Sequence, residues 1–265
     1  MKTLIHPVTG QEFKLGRNKP LAIGPRLSLG NYLLRRFPTP PASADYSQKA
    51  DGFMRNILGN DVAGNCTIAA AYHVAGMFLA NSDQAIPFTA MNALTLYQQL
   101  SGWNGVENDA SDTGLDELTV LDYWATNGLI PGAHKITAAI KVDGTDAEEV
   151  KAAVWLFENC YFAMGLPDAW VSPMPSASGF IWDAAGSEDQ DNGHAFMACG
   201  FNPQGVVIDT WGMLGIMTWA AVAKYASCYT VLGVDIVEKI TQKAPNGFNW
   251  TQLVSDIQSM GAAEQ

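Results

Sequence analysis

Cysteine and histidine are the side chains best suited to nucleophilic and proton-transfer chemistry, and this chain carries 4 of each. Cys66, Cys160, Cys199 and Cys228 lie far apart and show no CxxC spacing. They spell neither a disulfide framework nor a zinc site. Cys66 is set apart by its surroundings. It follows a polar, glycine-bearing loop, Gly59 to Asn65, and opens an apolar run that continues to Asn81. A helix that is apolar all round is a buried one, and Asn65 is a residue type that caps helices. Cys66 then falls in the first turn, where the positive end of the helix dipole favours an anion. Cysteines so placed have pKa values lowered to about 3.5–7.5. Two readings of Cys66 stand: an inert core cysteine, the common fate of a free thiol, or a thiolate at the head of a buried helix, left open to solvent by the loop above it.

A thiolate nucleophile needs a base, and the base needs an orienting partner. His6 lies in the N-terminal stretch and is expected to be exposed. His73 comes two turns after Cys66 on the same helix, roughly 10 Å away. It is beyond reach of the thiol and is expected to be a satisfied core histidine. His134 follows Pro131 and Gly132 in a loop, with nothing nearby to support a role. His194 sits in NGHAFMACGFN, where a loop enters an apolar strand. The next strand, GVVIDTWG, brings Asp209 across the hairpin toward it. A carboxylate there fixes the imidazole tautomer and stabilises the imidazolium. Trp211 would cover the pair. The competing reading, a structural histidine beside a solvated aspartate, fits the spacing equally well.

The elements that would position these groups fall into two halves. Residues 1–44 are broken by Pro7, Gly10, Gly16, Pro20, Gly24, Pro25 and Gly30 and close on PTPPAS. That density excludes long regular elements and predicts an extended arm anchored by Tyr32, Leu33, Leu34 and Phe37. A loop over 45–60 leads to the buried helix, about Asn65 to Asn81. A second helix is expected from Pro87 at its N1 position to about Leu100, and a third from Leu115 to Asn127 with Gly128 after its end. Beyond residue 133 the period changes. Strands are expected over Ile136–Val142, Cys160–Leu166, His194–Phe201, Val206–Thr210 and Ser227–Val234, with helices over Asp146–Asn159 and Thr218–Tyr225. A tail from about Lys239, carrying NGFNW, ends in a short helix over Trp250–Met260. A helical half followed by an antiparallel sheet is an α+β arrangement, and the junction of two such lobes is a common place for a site.

Composition narrows the function. The net charge of -11 speaks against nucleic-acid binding, which needs clustered Lys and Arg. No run of about 18 apolar residues exists to span a membrane. The opening MKTLIHPVTGQEFKLG lacks the apolar core of a signal peptide, so a reducing cytoplasm with free thiols is expected. The loop Ser101–Gly114 gathers Glu107, Asp109 and Asp112 but lacks EF-hand spacing. No metal or cofactor is expected.

These segments, taken together, resemble the papain-like cysteine proteases. PASADY resembles that family's mature N-terminal PxSVDW segment, and DTGLDELTVLDYWATNGL its later left-lobe helix. The histidine strand and DTWG stand where the family has NHAVAAVGYG and NSWG. The resemblance covers roughly residues 40 to 235. It implies a two-lobed α+β fold: an arm over 1–44, a helical lobe over about 45–132, a β-rich lobe over about 133–238, and a tail over 239–265. It implies a thiol-dependent hydrolase that cleaves a peptide or other amide bond through a thioester acyl-enzyme. Cys66 would be the nucleophile, His194 the base, and Asp209 the orienter in place of asparagine. Asn60, six residues before Cys66, stands where the family has its oxyanion-hole glutamine. Its amide and the Cys66 backbone N–H would hold the oxyanion. AGNCT replaces CGSCW, so the tryptophan after the nucleophile is missing. The arm is too short and broken for a helical inhibitory propeptide, which implies a bacterial or phage-type member made without zymogen control. The alternatives on the same fold are an acyl transferase or transpeptidase and a catalytically inactive binding module. The expected partner is the peptide or amide substrate alone.

Overall fold

The computed structural model describes residues 2–21, 26–33, 39–225, 227–233 and 249–263. Leu34 and Phe37, expected as arm anchors, lie outside them, as do the boundary near residue 238 and most of the tail before Trp250. The strands are β1 (Lys2–Ile5), β2 (Glu12–Leu15), β3 (Arg17–Asn18), β4 (Ala44–Asp45), β5 (Leu115–Asp116), β6 (Ile136–Val142), β7 (Cys160–Gly165), β8 (Phe180–Trp182), β9 (Gly193–Phe201), β10 (Gly205–Thr210), β11 (Met213–Thr218) and β12 (Cys228–Gly233). The α-helices are α1 (Asp51–Met54), α2 (Cys66–Asn81), α3 (Ala90–Ser101), α4 (Glu117–Asn127), α5 (Ala147–Phe157), α6 (Asp168–Val171), α7 (Trp219–Tyr225) and α8 (Trp250–Ala263).

An 8-stranded sheet organises the molecule, in the order β6-β12-β7-β9-β10-β11-β8 with β4 on β9. Its pairs are antiparallel except β8 with β11. The sheet is covered on both faces. In β9, Ala195, Met197 and Cys199 pack with α2, α3 and α4. Phe196, Ala198 and Phe201 pack on the other side with α5, α7 and Leu253 of α8. Side chains alternate along a strand, so one strand feeds two cores, and all of β9 is buried. The α+β expectation is met, with the helical half laid against one face of the sheet.

Local chemistry accounts for the helix ends. Helix α2 runs almost to the residue as its apolar stretch predicts, but Asn65 makes no side-chain cap. Its Nδ2 donates instead to the Leu58 carbonyl at 2.8 Å. Pro87 does not open α3; Thr89 caps that helix in a reciprocal pair with Asn92. Asp116 caps α4, and Leu115 and Asp116 form a strand rather than the first turn of that helix.

The first 20 residues depart most from expectation. They form a hairpin, β1 with β2, followed by β3, which pairs in parallel with β5. Leu4, Phe13, Leu15, Leu29 and Tyr32 join the core on the α5 side. The arm is therefore part of the packed structure.

Candidate active site

Cys66 begins α2 beneath a loop shaped by two residues with positive φ, Leu58 (55°) and Gly59 (82°). Asp112 holds that loop: its carboxylate accepts from the Gly64 N–H at 3.1 Å and from the Tyr97 hydroxyl. The acidic loop considered for calcium thus braces the turn before Cys66.

The thiol is not open to solvent. Cys66 is 1% exposed, and burial pushes its pKa up to about 11. Opposing this, the backbone of Ala195, Gly16 and Thr67 and the charge of Arg17 pull it down. The thiolate expected from the helix terminus is absent in this state because desolvation outweighs dipole and donors.

The cover is the arm. Gly16 links β2 to β3 and packs its backbone against Gly64, two residues before the thiol. A Cβ on Gly16 would fall inside the Gly64 carbonyl, one on Gly114 inside the Gly16 carbonyl, and one on Gly193 against the Arg17 carbonyl. Arg17 is locked by a buried fork to Glu117, with Nε and Nη2 at 2.9 and 2.8 Å from the carboxylate oxygens. The Leu115 N–H donates to the Gly16 carbonyl at 2.8 Å. Asn60, the expected oxyanion donor, is also engaged. Its Nδ2 donates to the Lys14 carbonyl at 3.0 Å, and its own carbonyl accepts from the Lys14 N–H at 2.9 Å. An extended segment of the arm therefore packs along the loop that leads into Cys66. The arm, expected to be too short and broken for a helical propeptide, packs here as a strand whose partner lies about 100 residues away in sequence.

His194 is 1% exposed, and its Nε2 lies 2.7 Å from Thr210 Oγ1. Its Nδ1 is buried without a partner. Burial pushes its pKa down to about 3. Trp211, expected to cover a His194–Asp209 pair, stacks on the His194 ring alone, centroids 4.5 Å apart at 28°. Trp211 (φ 52°) and Gly212 (φ 72°) form the two-residue turn between β10 and β11. Both positive φ values suit a type I′ hairpin, which ordinarily takes Asn, Asp or Gly at both positions. A tryptophan held there is an outlier at the site.

The expected His194–Asp209 hydrogen bond is not formed. Asp209 pairs with Met197 across the ladder, so it shares the face that meets α2. His194 is three residues from Met197 and points to the other face, with Phe196. Asp209 Oδ2 instead lies 2.8 Å from His73 Nδ1, and among the described residues neither carboxylate oxygen completes a well-directed hydrogen bond. Burial raises the Asp209 pKa, and His73 pulls it down. His73 Nε2 reaches the Asn56 carbonyl at 2.9 Å. His73 is thus a partnered core histidine, as expected, but its partner is the residue assigned to His194. His6 is buried rather than exposed, with Nε2 3.1 Å from the Ser176 carbonyl.

Cys66, Asn60, His73, His194, Asp209 and Thr210 nonetheless line one cavity of about 10 Å³, room for roughly one water. Among the described residues no hydrogen bond or charge contact joins Cys66 to His194. Both groups are neutral as buried. Larger depressions flank the arm, about 610 Å³ beside Lys2, Leu4 and Met174 and about 420 Å³ beside Lys14 and Asn108. Sequence reasoning missed Thr210, although its place in DTWG beside the expected orienter was a signal.

No protein-family model and no curated protein sequence matches the chain. Solved structures do. Xylellain, a cysteine protease from Xylella fastidiosa, superposes with a TM-score of 0.63 at 16% identity, covering 88% of this chain and 99% of that one. Procathepsin L2 from the Tenebrio molitor larval midgut gives 0.51 at 13%, covering 83% and 84%. The Carica candamarcensis cysteine protease CMS1MS2, solved in complex with E-64, gives 0.50 at 13%, covering 73% and 98%. The chain has the papain-like fold.

Proposed function

We propose that the protein is a thiol-dependent hydrolase that cleaves a peptide or other amide bond, held latent by its own N-terminal arm. One observation supports this above the rest. In a papain-like fold, a cysteine at the start of a buried helix shares a cavity with a histidine whose Nδ1 has no partner.

The chemistry begins when Lys14–Gly16 withdraw. Solvent and substrate then reach Cys66, and the desolvation that holds its pKa high is relieved. His194 Nδ1 takes the thiol proton. The sulfur attacks the scissile carbonyl carbon, forming a C–S bond as the carbonyl π pair moves to oxygen. The Cys66 backbone N–H and the Asn60 amide, freed from Lys14, hold that oxyanion. The loss of one such donor typically costs about 100- to 1000-fold in rate. The imidazolium passes its proton to the leaving amine as the C–N bond breaks. His194 then deprotonates a water that attacks the thioester, and the returning proton frees the thiol.

The buried thiol favours a second reading, a catalytically inactive module. E-64, the ligand in the Carica enzyme structure, separates the two. Gly16→Val drives a side chain into the Gly64 carbonyl and unseats the arm. The variant should take up E-64 at Cys66 faster than wild type and cleave a peptide library, and Cys66→Ala should abolish both. A folded Gly16→Val protein that neither reacts at Cys66 nor cleaves peptides would establish the inactive module.

A further inference from the structure

We infer that Thr210, rather than Asp209, is the positioning residue of His194, and that its hydroxyl holds the imidazole with the proton on Nε2 and the lone pair on Nδ1. The inference rests on the reading of Cys66 and His194 as nucleophile and base.

Strand parity supplies the first support. Asp209 stands opposite Met197, so Thr210 takes the opposite face, the one His194 shares with Phe196. The second support is the 2.7 Å separation of Nε2 from Thr210 Oγ1. Two tautomers fit that distance. With the proton on Nδ1, a buried N–H would be left without an acceptor, since Nδ1 has no partner. Orphaned buried N–H groups are rarer than orphaned acceptors. With the proton on Nε2, the imidazole donates to Oγ1 and only a lone pair is left over. That lone pair is what a base needs. Trp211, stacked at 4.5 Å, fixes the plane of the ring.

The third support is that Asp209 is committed elsewhere. The Asn56 carbonyl can only accept, so His73 Nε2 must carry a hydrogen. Across the 2.8 Å contact, Nδ1 then either donates as an imidazolium or accepts from a protonated Asp209. In both arrangements Oδ2 faces His73, 2.8 Å from its Nδ1, rather than the His194 ring.

The test uses the full chain and needs no substrate. Imidazole ¹⁵N spectra report which ring nitrogen is protonated, and His194→Gln assigns the signals. Wild type should show His194 protonated at Nε2 and bare at Nδ1. Thr210→Ser should keep that pattern. Thr210→Val, similar in size but without an acceptor, should shift it toward the Nδ1–H form or a mixture. Asp209→Asn should change the His73 signals and leave those of His194 in place. On any substrate found, Thr210→Val should lower kcat with KM unchanged, by about 10- to 100-fold, part of the roughly 100- to 10,000-fold that a positioned base contributes. A wild-type Nδ1–H tautomer overturns the inference even if Thr210→Val fails to fold. So does an Asp209→Asn protein whose His194 pattern changes as Thr210→Val was expected to change it. These outcomes are independent of turnover, so loss of the hydrolase reading by Cys66→Ala would be seen separately.

Discussion

Two imidazoles line the same cavity, His73 from α2 and His194 from β9, and they are buried alike at 3% and 1% exposure. Their partners differ. His73 has a carboxylate on one nitrogen, a carbonyl on the other and the edge of Phe53 at 5.5 Å. His194 has one hydroxyl, a stacked indole and an open nitrogen. A histidine with both nitrogens engaged has nothing left to do chemistry with. One left a valence short bears a desolvation penalty that packing alone does not require. The contrast separates structural from chemical roles more sharply than burial does.

Replacing each ring in turn should break the comparison most severely. His194→Ala should remove at least about 100-fold of turnover in an arm-displaced background, the lower bound for a positioned base, with little change in unfolding. His73→Leu should do the reverse. It leaves Asp209 buried and unpaired, a loss of about 3–5 kcal/mol, read by urea unfolding. Equal loss of activity in both variants would mean that the two rings act as one unit.

The next effect is electrostatic. Burial depresses the His194 pKa from 6.5 to about 3. The folded protein then binds fewer protons than the unfolded chain between those values. Its stabilising contribution is intact above pH 6.5 and is lost as pH falls toward about 3. Urea midpoints for wild type should fall more steeply than those for His194→Gln over that window, by about 1.4 kcal/mol per pH unit. Parallel curves would mean that His194 is hydrated in solution.

The smallest effect comes from the ring beside His73. Phe53→Leu removes the edge contact and should lower stability by about 1 kcal/mol, with E-64 uptake at Cys66 in the Gly16→Val background unchanged. A change in uptake would show that the His73 side of the cavity reports to the thiol.

The sequence made the frame of this site legible where the information was local. The run after Cys66 placed α2 because apolar content sustained over 16 residues has few other solutions. Alternation and turn residues placed β9 and β10. Proximity across their hairpin was then taken for contact, and side-chain parity decides otherwise. Register was hidden as well, since a bulge between Val207 and Ile208 resets the ladder. The arm was the least legible part. Glycine and proline density reads as irregular, and β3 becomes a strand only because β5, remote in sequence, offers its edge.

The glycines that seat the arm have an evolutionary consequence. Gly16, Gly114 and Gly193 come from separate parts of the chain, and at each a single methyl group would collide with a backbone carbonyl. None of the three contributes a side chain to the proposed reaction. Under the proposed latency, one point mutation at any of them offers a heritable route to a constitutively open protein without altering the catalytic side chains. In a lineage that discarded the arm, selection on all three would relax together. Correlated loss of these glycines would mark descendants that have given up self-restraint.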